Sequence, residues 1–593
     1  MQKREHSIIR KVFTRSLIVY ILNNFTWSIG VLVDGAVIGN FFGVDAVAAY
    51  GLVWPLTMAF VLVGSIFAGG SRNLYTKLAG QGETREANQV FTLACLVSVV
   101  LSLGMAVLAF VLRSPLAVLL GAHGKNAALH PLTCSYLAGI LLGLPFDNFA
   151  KVVSGYLGID SDHRTIVAAS VAMTVTDILG DLTVVILFPG SLFGLGAATA
   201  LGQVVYLAVL LTHFLRRDRM LHFTLRGMTG IGEKLKFMVA SGLPACVIRV
   251  SSTVCGILVN RMLSAAAASS YIAAYSVHCS VTSLVGSTYL GVSDTVWTMS
   301  SIYYGEEDRK ALRQLQNTSM TIGLVTTGLV SVVLALFPRV FAGIYVGRSD
   351  PETLALAAEA VKVFAFSTPL YLLVYTFNGY LMGTEKLHAA NIYSFFMKCG
   401  AVVPTVWLML RLMGGRGVWF ATPVSLAVML LVTVIYILCW DFGDSFSIKR
   451  LLLKENFGSK DGEAELNISA DTMLEVIGMS RLAGLFCAEQ GIDQKRANIL
   501  ALCIEEMGGN IMEHGFSDGK PHMIDMRILV KDGELILRLR DDCRPFNPVE
   551  RYRMALQQED DPTRNVGIRM VMKMSRDVKY LSTMSTNNLI IRI

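Results

Sequence analysis

Charge is the scarce ingredient of this sequence. Only 16% of its 593 residues are Asp, Glu, Lys or Arg, against 53% hydrophobic, which is too apolar for a disordered chain or an ordinary soluble one. The 52 glycines and 15 prolines follow no triplet period, so a collagen-like helix is excluded. The ten cysteines (95, 134, 246, 255, 279, 399, 439, 487, 503 and 543) include no CxxC pair. Most lie in apolar runs, so they read as small hydrophobes rather than zinc ligands or a disulfide scaffold. No GxxxxGK[ST] loop is present, which excludes a P-loop motor. A basic stripe is also missing from the polar C-terminal part, so nucleic acid is not an expected partner.

What charge there is divides the chain in two. Residues 1–440 hold 30 Lys+Arg and 20 Asp+Glu, whereas 441–593 hold 21 and 24, so the first part is +10 and the second −3. Stretches of roughly 20 apolar residues cross a bilayer, and twelve are expected: about 16–39, 46–71, 89–112, 131–158, 164–188, 192–214, 237–260, 268–302, 317–338, 355–383, 388–411 and 417–440. The first follows Arg10, Lys11 and Arg15 but reaches Gly39 without a cleavage site, so it reads as a retained span and not a signal peptide. The N-terminus and the even-numbered loops hold nineteen Lys and Arg against eight on the other side. By the positive-inside rule both termini are then expected in the cytosol.

An internal echo supports two halves. Pro145 precedes Ser154-Gly-Tyr-Leu by nine residues, and Pro369 precedes Asn378-Gly-Tyr-Leu by nine, a shift of 224 that carries span four onto span ten. Two six-helix halves in one orientation would follow, with a site between or within them. Ionisable residues inside the spans are Asp34, Asp147, Lys151, Asp177, Asp181, Arg249, Asp294 and Lys398. Such groups are costly in hydrocarbon and usually face a polar path. Asp147 and Lys151, one turn apart, read equally well as a structural pair, and Arg249, Asp294 and Lys398 as structural charges. Asp177 and Asp181 share one helical face, and two carboxylates without a cation suit a proton or Na⁺ site.

Residues 10 to 440 resemble the multidrug and toxic compound extrusion (MATE) transporters. The stretches that carry the resemblance are Val33-Asp34-Gly-Ala-Val-Ile-Gly39, Gly82-Glu-Thr-Arg-Glu-Ala87, Asp177 to Asp181, Gly194-Leu-Gly-Ala-Ala-Thr-Ala200 and Gly242-Leu-Pro244. The resemblance implies cation coupling at Asp34 and Asp181 in the N-terminal half, with Asp177 where an Asn is usual, assisted by Ser154 and Thr199. It further implies antiport of H⁺ or Na⁺ against small organic, cationic or amphipathic compounds. The expected division is a transporter over 1–443, a linker over 444–466 and a soluble domain over 467–593.

In the soluble part, 471–490 and 493–513 show helical periodicity. Strands are expected at 523–530 and 534–540, joined at Asp532-Gly533, then a short helix from Val566 and a last hairpin, 578–581 with 589–593. Helices on one side of a mixed sheet would make an α/β sandwich. Glu506, Asn510 and His514 recur every four residues and face one way, and Gly515 is placed to end that helix as its C′ residue. Such a stripe suits Mg²⁺ and phosphate.

This region resembles the GHKL ATPase fold of histidine kinases, most closely the anti-sigma-factor serine kinases. Glu506 to Gly515 matches the N box, Asp541-Asp-Cys-Arg-Pro545-Phe546-Asn-Pro548 the adenine box, and Asn565-Val-Gly567-Ile-Arg-Met-Val571 the second glycine box. The resemblance implies ATP and Mg²⁺ as cofactors: Asn510 would hold Mg²⁺, Glu506 would act as base, Asp541 would accept from the adenine amino group, and Pro545, His514 and Gly567 would line the nucleotide. Cys543 and Asn565 stand where the family has glycines, and are expected to restrict the backbone there. Two functions follow as expectations. One is a bacterial cytoplasmic-membrane efflux transporter regulated by a cytosolic nucleotide-binding domain. The other is a membrane sensor whose domain is a serine/threonine kinase, or a module sequestering a cytosolic regulatory protein. A homodimer through that domain is plausible on the same resemblance.

Overall fold

The computed structural model describes residues 2–42, 44–81, 83–120, 122, 129–160, 162–216, 219–226, 228–267, 269–343, 351–440, 453, 464–518, 521–531, 533–557, 566–584 and 586–593. The first half of the helical part comprises α1 Gln2–Phe41, α2 Val44–Gly80, α3 Thr84–Val111, α4 Arg113–Leu119, α5 His130–Leu141, α6 Leu144–Ile159, α7 His163–Leu187 and α8 Leu192–Leu211. The second comprises α9 Ile231–Ala266, α10 Ser269–Gly305, α11 Arg309–Leu336, α12 Pro338–Gly343, α13 Pro351–Gly383, α14 Leu387–Phe395, α15 Val402–Met413 and α16 Gly417–Trp440. Side-chain caps start several of them: Asp162 accepts from the Thr165 N–H, Ser191 from Gly194 and Asp308 from Ala311.

Seven described helical stretches are long and apolar enough to cross a membrane, eight if the pair α5 and α6, bent by 42°, is one span. That is short of the twelve expected. One reason is that Leu387–Cys439, 53 residues, counts once although it is long enough for two crossings. The long helices α1, α2 and α10 are not among the seven. The echo between halves survives in altered form: Pro145 stands in the first turn of α6 just past the bend, whereas Pro369 lies inside the unbroken α13.

The halves meet at the end that carries the C-terminal domain. There a Cβ on Gly70 of α2 would collide with the Met238 carbonyl of α9, and one on Gly242 of α9 with the Ile66 carbonyl of α2. Asn73 donates to the Met382 carbonyl at 3.1 Å and accepts from the Trp297 indole at 2.6 Å, and the Arg72 guanidinium lies 4.0 Å over that ring. One apolar core joins Ile8, Phe13 and Leu17 of α1 to Val292 and Ile302 of α10 and Leu312 of α11. Toward the other end each half keeps its own core, around Val37, Ala49 and Leu137 in the first and Val259, Phe364 and Trp419 in the second. Among the described residues the helical part is closed at the domain-bearing end and divided at the other.

In the C-terminal part β1 Glu465–Ala470 is followed by α17 Met473–Glu489, α18 Gln494–Asn510, β2 Ile524–Lys531, β3 Glu534–Asp541, α19 Pro548–Gln557, α20 Val566–Met574, β4 Asp577–Thr583 and β5 Thr586–Arg592. The sheet order is β1-β2-β3-β5-β4 and every pairing is antiparallel, which corrects the expected mixed sheet. Strand β1 was not expected. Its first two residues fall in the stretch assigned to the linker and the other four open the expected domain; most of the linker's other residues lie outside the described ones. The hairpin between paired Lys531 and Glu534 uses Gly533 at φ 79°, a left-handed conformation glycine adopts without cost; Asp532 lies outside the described residues. Val476, Leu500 and Ile504 of the helices pack on Ile524, Met526, Leu537 and Leu539 of the sheet.

Candidate functional site

Two places gather chemistry-bearing side chains. In the first half, α7 carries Asp177 and Asp181, both buried, one turn apart as their spacing predicts. Asp34 of α1 lies within hydrogen-bonding reach of Asp177, as does Thr199 of α8. Small residues make this possible: the missing side chains of Gly30 on α1 and Gly202 on α8 leave room for Asp177, whose atoms lie 3.9 and 3.5 Å from where their Cβ atoms would be. The charged neighbours that bear on Asp34 and Asp181 are acids of the same cluster. Three carboxylates in such company, two buried and Asp34 half-buried, need protons or a bound cation for neutrality. Tyr50 and Tyr136, in edge contact at 5.5 Å, stand beside the cluster. Sequence reading missed them because a tyrosine in an apolar run looks like core. Ser154 is placed differently: it shares a hydrogen bond with the Tyr206 phenol. Asp147 and Lys151 form an ion pair on α6.

The second place is a cavity of about 190 Å³ in the C-terminal domain, lined by Asn510, His514, Asp541, Pro545 and Phe546 together with Met507, Ile511, Tyr580 and Asn587. Helix α18 ends at Asn510 and the chain continues as a π turn over Ile511–Gly515. The widened turn keeps His514 on the cavity side. Gly515 therefore does not act as a left-handed C′ residue, and positive φ is not found there. Its missing side chain serves another purpose: a Cβ on Gly515 would lie 2.8 Å from both Cβ and Sγ of Cys543. Cys543 is buried over Gly515 with a negative-φ backbone, so the expected conformational restriction at this position does not arise. Asn565 lies outside the described residues.

Asp541 ends β3 and is 4% exposed. Its Oδ1 accepts from Asn587 Nδ2 at 2.7 Å and from the Cys543 N–H at 3.0 Å, while the Tyr580 hydroxyl holds Asn587 Oδ1 at 2.9 Å. Burial pushes the Asp541 carboxyl up to about 6, against these hydrogen bonds. Asn587 and Tyr580, both from the last hairpin, were not expected in the site, since no local motif marks them. Glu506 and Gly567 sit outside the cavity lining but against each other: a Cβ on Gly567, in the first turn of α20, would collide with the Glu506 carboxylate. The Asp541 acceptor and the Asn510 amide in this cavity fit an adenine nucleotide with Mg²⁺, which they would hold at its two ends, whereas the α20 start is met by the Glu506 carboxylate.

Two helical halves with an acid cluster in one of them are the architecture of a membrane transporter. The MatE family model matches residues 20–183 and 244–408, more than half of the sequence, and the chain belongs to the MATE family. A histidine kinase-like ATPase domain model matches residues 470–593. Among curated relatives, the probable multidrug resistance protein YoeA of Bacillus subtilis is 23% identical over 443 residues, 73% of this chain and 94% of its own. The multidrug export protein MepA of Staphylococcus saprophyticus is 22% identical over 391 residues, 65% of this chain and 85% of its own. Among solved structures, an outward-facing multidrug resistance MATE family transporter superposes with a TM-score of 0.68 at 19% identity, covering 72% of this chain and 95% of that one. The Vibrio cholerae MATE transporter VcmN in its bent form gives 0.68 at 16% identity, covering 77% and 99%. At these identities the structures share the fold.

Proposed function

We propose that this protein exports small organic cations or amphipathic compounds across a bacterial cytoplasmic membrane in exchange for H⁺ or Na⁺, through twelve spans with both termini cytosolic. The observation that carries the reading is the cluster of Asp34, Asp177 and Asp181 in one half, the last two buried, with Thr199 beside Asp177 and no cationic side chain bearing on them among the described residues. A coupling ion entering from the divided end neutralises them, and its release on the other side resets the cycle. Multidrug export is what the names of the relatives state, and the shared fold and family support the same substrate class here. The C-terminal domain binds an adenine nucleotide through Asp541 and Asn510 and sets the transport rate. Its docking on the helical part favours this role over that of an independent kinase for a soluble protein.

The test is ion-driven efflux from proteoliposomes. Asp181→Asn and Asp34→Asn should each lower coupled efflux by about tenfold or more while leaving the protein folded, because neutral amides cannot exchange the ion. Unchanged efflux in both variants would remove the cluster from the mechanism and with it this reading.

A further inference from the structure

The sheet of the C-terminal domain has two faces of opposite chemistry. Ile524, Met526 and Ile528 on β2 and Leu535, Leu537 and Leu539 on β3 face the helices. The alternate positions include Arg527 on β2 and Arg538 and Arg540 on β3, and the register sets Arg527 directly across from Arg538. Two like charges opposed in a sheet repel unless an anion lies between them. Glu465 of β1 supplies one, 3.0 Å from Arg527, and the turn between α10 and α11 supplies another. The Glu306 side chain, 1% exposed, pairs with Arg540 and lies 3.2 Å from Arg538. Arg527 donates to the Glu306 and Glu307 carbonyls at 3.2 and 3.0 Å, and Lys531 pairs with Glu307 at 2.6 Å. Glu307 holds φ at 53°, an unusual conformation for a residue with a side chain, which turns these carbonyls toward the sheet. Burial opposes the charge on Arg540, but Glu306 outweighs it and raises the pKa; Asp308, also buried, is held low by Arg527 and Arg540.

The β4 edge of the sheet is fastened to the opposite half. Lys579 on β4 pairs with Glu83, in the turn between α2 and α3, at 2.5 Å. The Met584 N–H donates to the Ile159 carbonyl at the end of α6 at 2.6 Å, and Leu581 joins the apolar core of the first half. Lys11 of α1 pairs with Asp542, the neighbour of Asp541 in the nucleotide-type cavity, at 2.5 Å. A single antiparallel sheet therefore spans both halves at the end where they are closed. If the halves part at that end to take in substrate, the β2–β3 face and the β4 edge cannot both stay fastened.

We propose that the C-terminal domain is a conformation-selective clamp, whose basic sheet face binds the Glu306–Asp308 turn of one half and the Glu83 and Ile159 turns of the other. It stabilises the form closed at the domain-bearing end and loses one set of contacts when that end opens. This rests on the transporter reading and goes beyond it by naming the surface through which the domain acts. Because coupling is reciprocal, whatever loosens the clamp at Lys11 and Asp542, beside the cavity, changes the population of the closed form, and opening changes binding at the cavity by the same factor.

The experiment uses the full chain with Cys279 and Cys439, the exposed cysteines, changed to serine, and spin labels at Gln81→Cys and His388→Cys, exposed positions on the two halves at the closed end. In the charge-reversed variant Lys531→Glu with Lys579→Glu, two attractive pairs become repulsive. The long-distance population should rise about threefold or more, the scale expected for two such surface pairs. Adding Glu307→Lys and Glu83→Lys should restore the short distance, which a merely misfolded domain would not allow. An unchanged distance distribution on reversal, or no restoration by the compensating pair, would overturn the clamp. Ethidium efflux is read in liposomes of the same proteins. Absence of efflux from the unreversed protein would count against the transporter reading, while the distances still decide the clamp.

Discussion

Asp541 shows what a single carboxylate contributes to both stability and recognition. Its pKa stands at about 6 instead of the usual 3.8 because burial penalises the charge more than Asn587 and Cys543 relieve it. The folded state thus holds the proton more tightly than the unfolded chain. The group's contribution favours the fold below about pH 4 and is lost as pH rises through 6, a change of about 3 kcal/mol. Nucleotide binding has the opposite sign, since the ionised form makes the stronger bond to an adenine amino group. ATP affinity of the full chain should therefore fall as pH drops below 6, with proton release on binding near that value, measured by calorimetry in buffers of different ionisation heat. Affinity that stays constant between about pH 5 and about pH 8 would remove Asp541 from the recognition of adenine. The neighbouring pair Gly515 and Cys543 makes a second prediction. Gly515→Ala forces a methyl against the Cys543 side chain and should destabilise the domain by about 1–3 kcal/mol, as overpacking does. Cys543→Gly in the same chain should recover most of that loss, seen as a return of the melting temperature. Equal melting of the single and double variants would mean that the two side chains do not compete for one space.

At the scale of elements, the parts that were legible are those written in local pattern. The i, i+4 spacing of Asp177 and Asp181, the two amphipathic helices α17 and α18, and the Gly533 hairpin all rest on neighbours in sequence. Strand β1 was not legible, because six residues with weak alternation beside a polar stretch resemble the linker that precedes them. The all-antiparallel order was also hidden: β5 inserts between β3 and β4, a choice made by long-range packing. The same holds at the sites. Glu506, Asn510 and His514 announce themselves by period, but nothing local marks the π turn that carries His514 and sets Gly515 against Cys543 far along the chain. Asn587 and Tyr580 complete the Asp541 end through the pairing of β3 with β5 and β5 with β4. Likewise Asp34 could be marked as an acid in a span, while its approach to Asp177 required α1 to pack on α7 through Gly30. The run Arg-Leu-Arg in β3 is only an alternation when read alone, and it became a docking face once Glu306 was found buried against it.

At the scale of the whole molecule, the domain is held by two kinds of contact that respond differently to salt. Lys531–Glu307, Lys579–Glu83 and Lys11–Asp542 each have at least one partner well exposed to solvent, and their attraction is screened as the Debye length shrinks from about 10 Å at 0.1 M salt to about 3 Å at 1 M. Glu306 with Arg538 and Arg540 is buried, as are Met523 and Met584 in the core shared with α1 and α10, and salt reaches these contacts little. Removing Arg540 alone would leave the buried Glu306 with Arg538 as its remaining cation, a costly loss of one partner of a buried charge. The consequence can be measured without touching any contact. With a protease site placed in 454–463 of the full chain and cut after purification, the released domain should stay with the helical part at 0.1 M salt. It should still be retained in large part near 1 M, dissociating only when mild denaturant weakens the apolar contacts. Full release at 0.1 M would mean that covalent tethering, and not the sheet face, holds the domain in place. Full release at 1 M with retention at 0.1 M would assign the docking to the peripheral ion pairs and leave Glu306 with no dominant share.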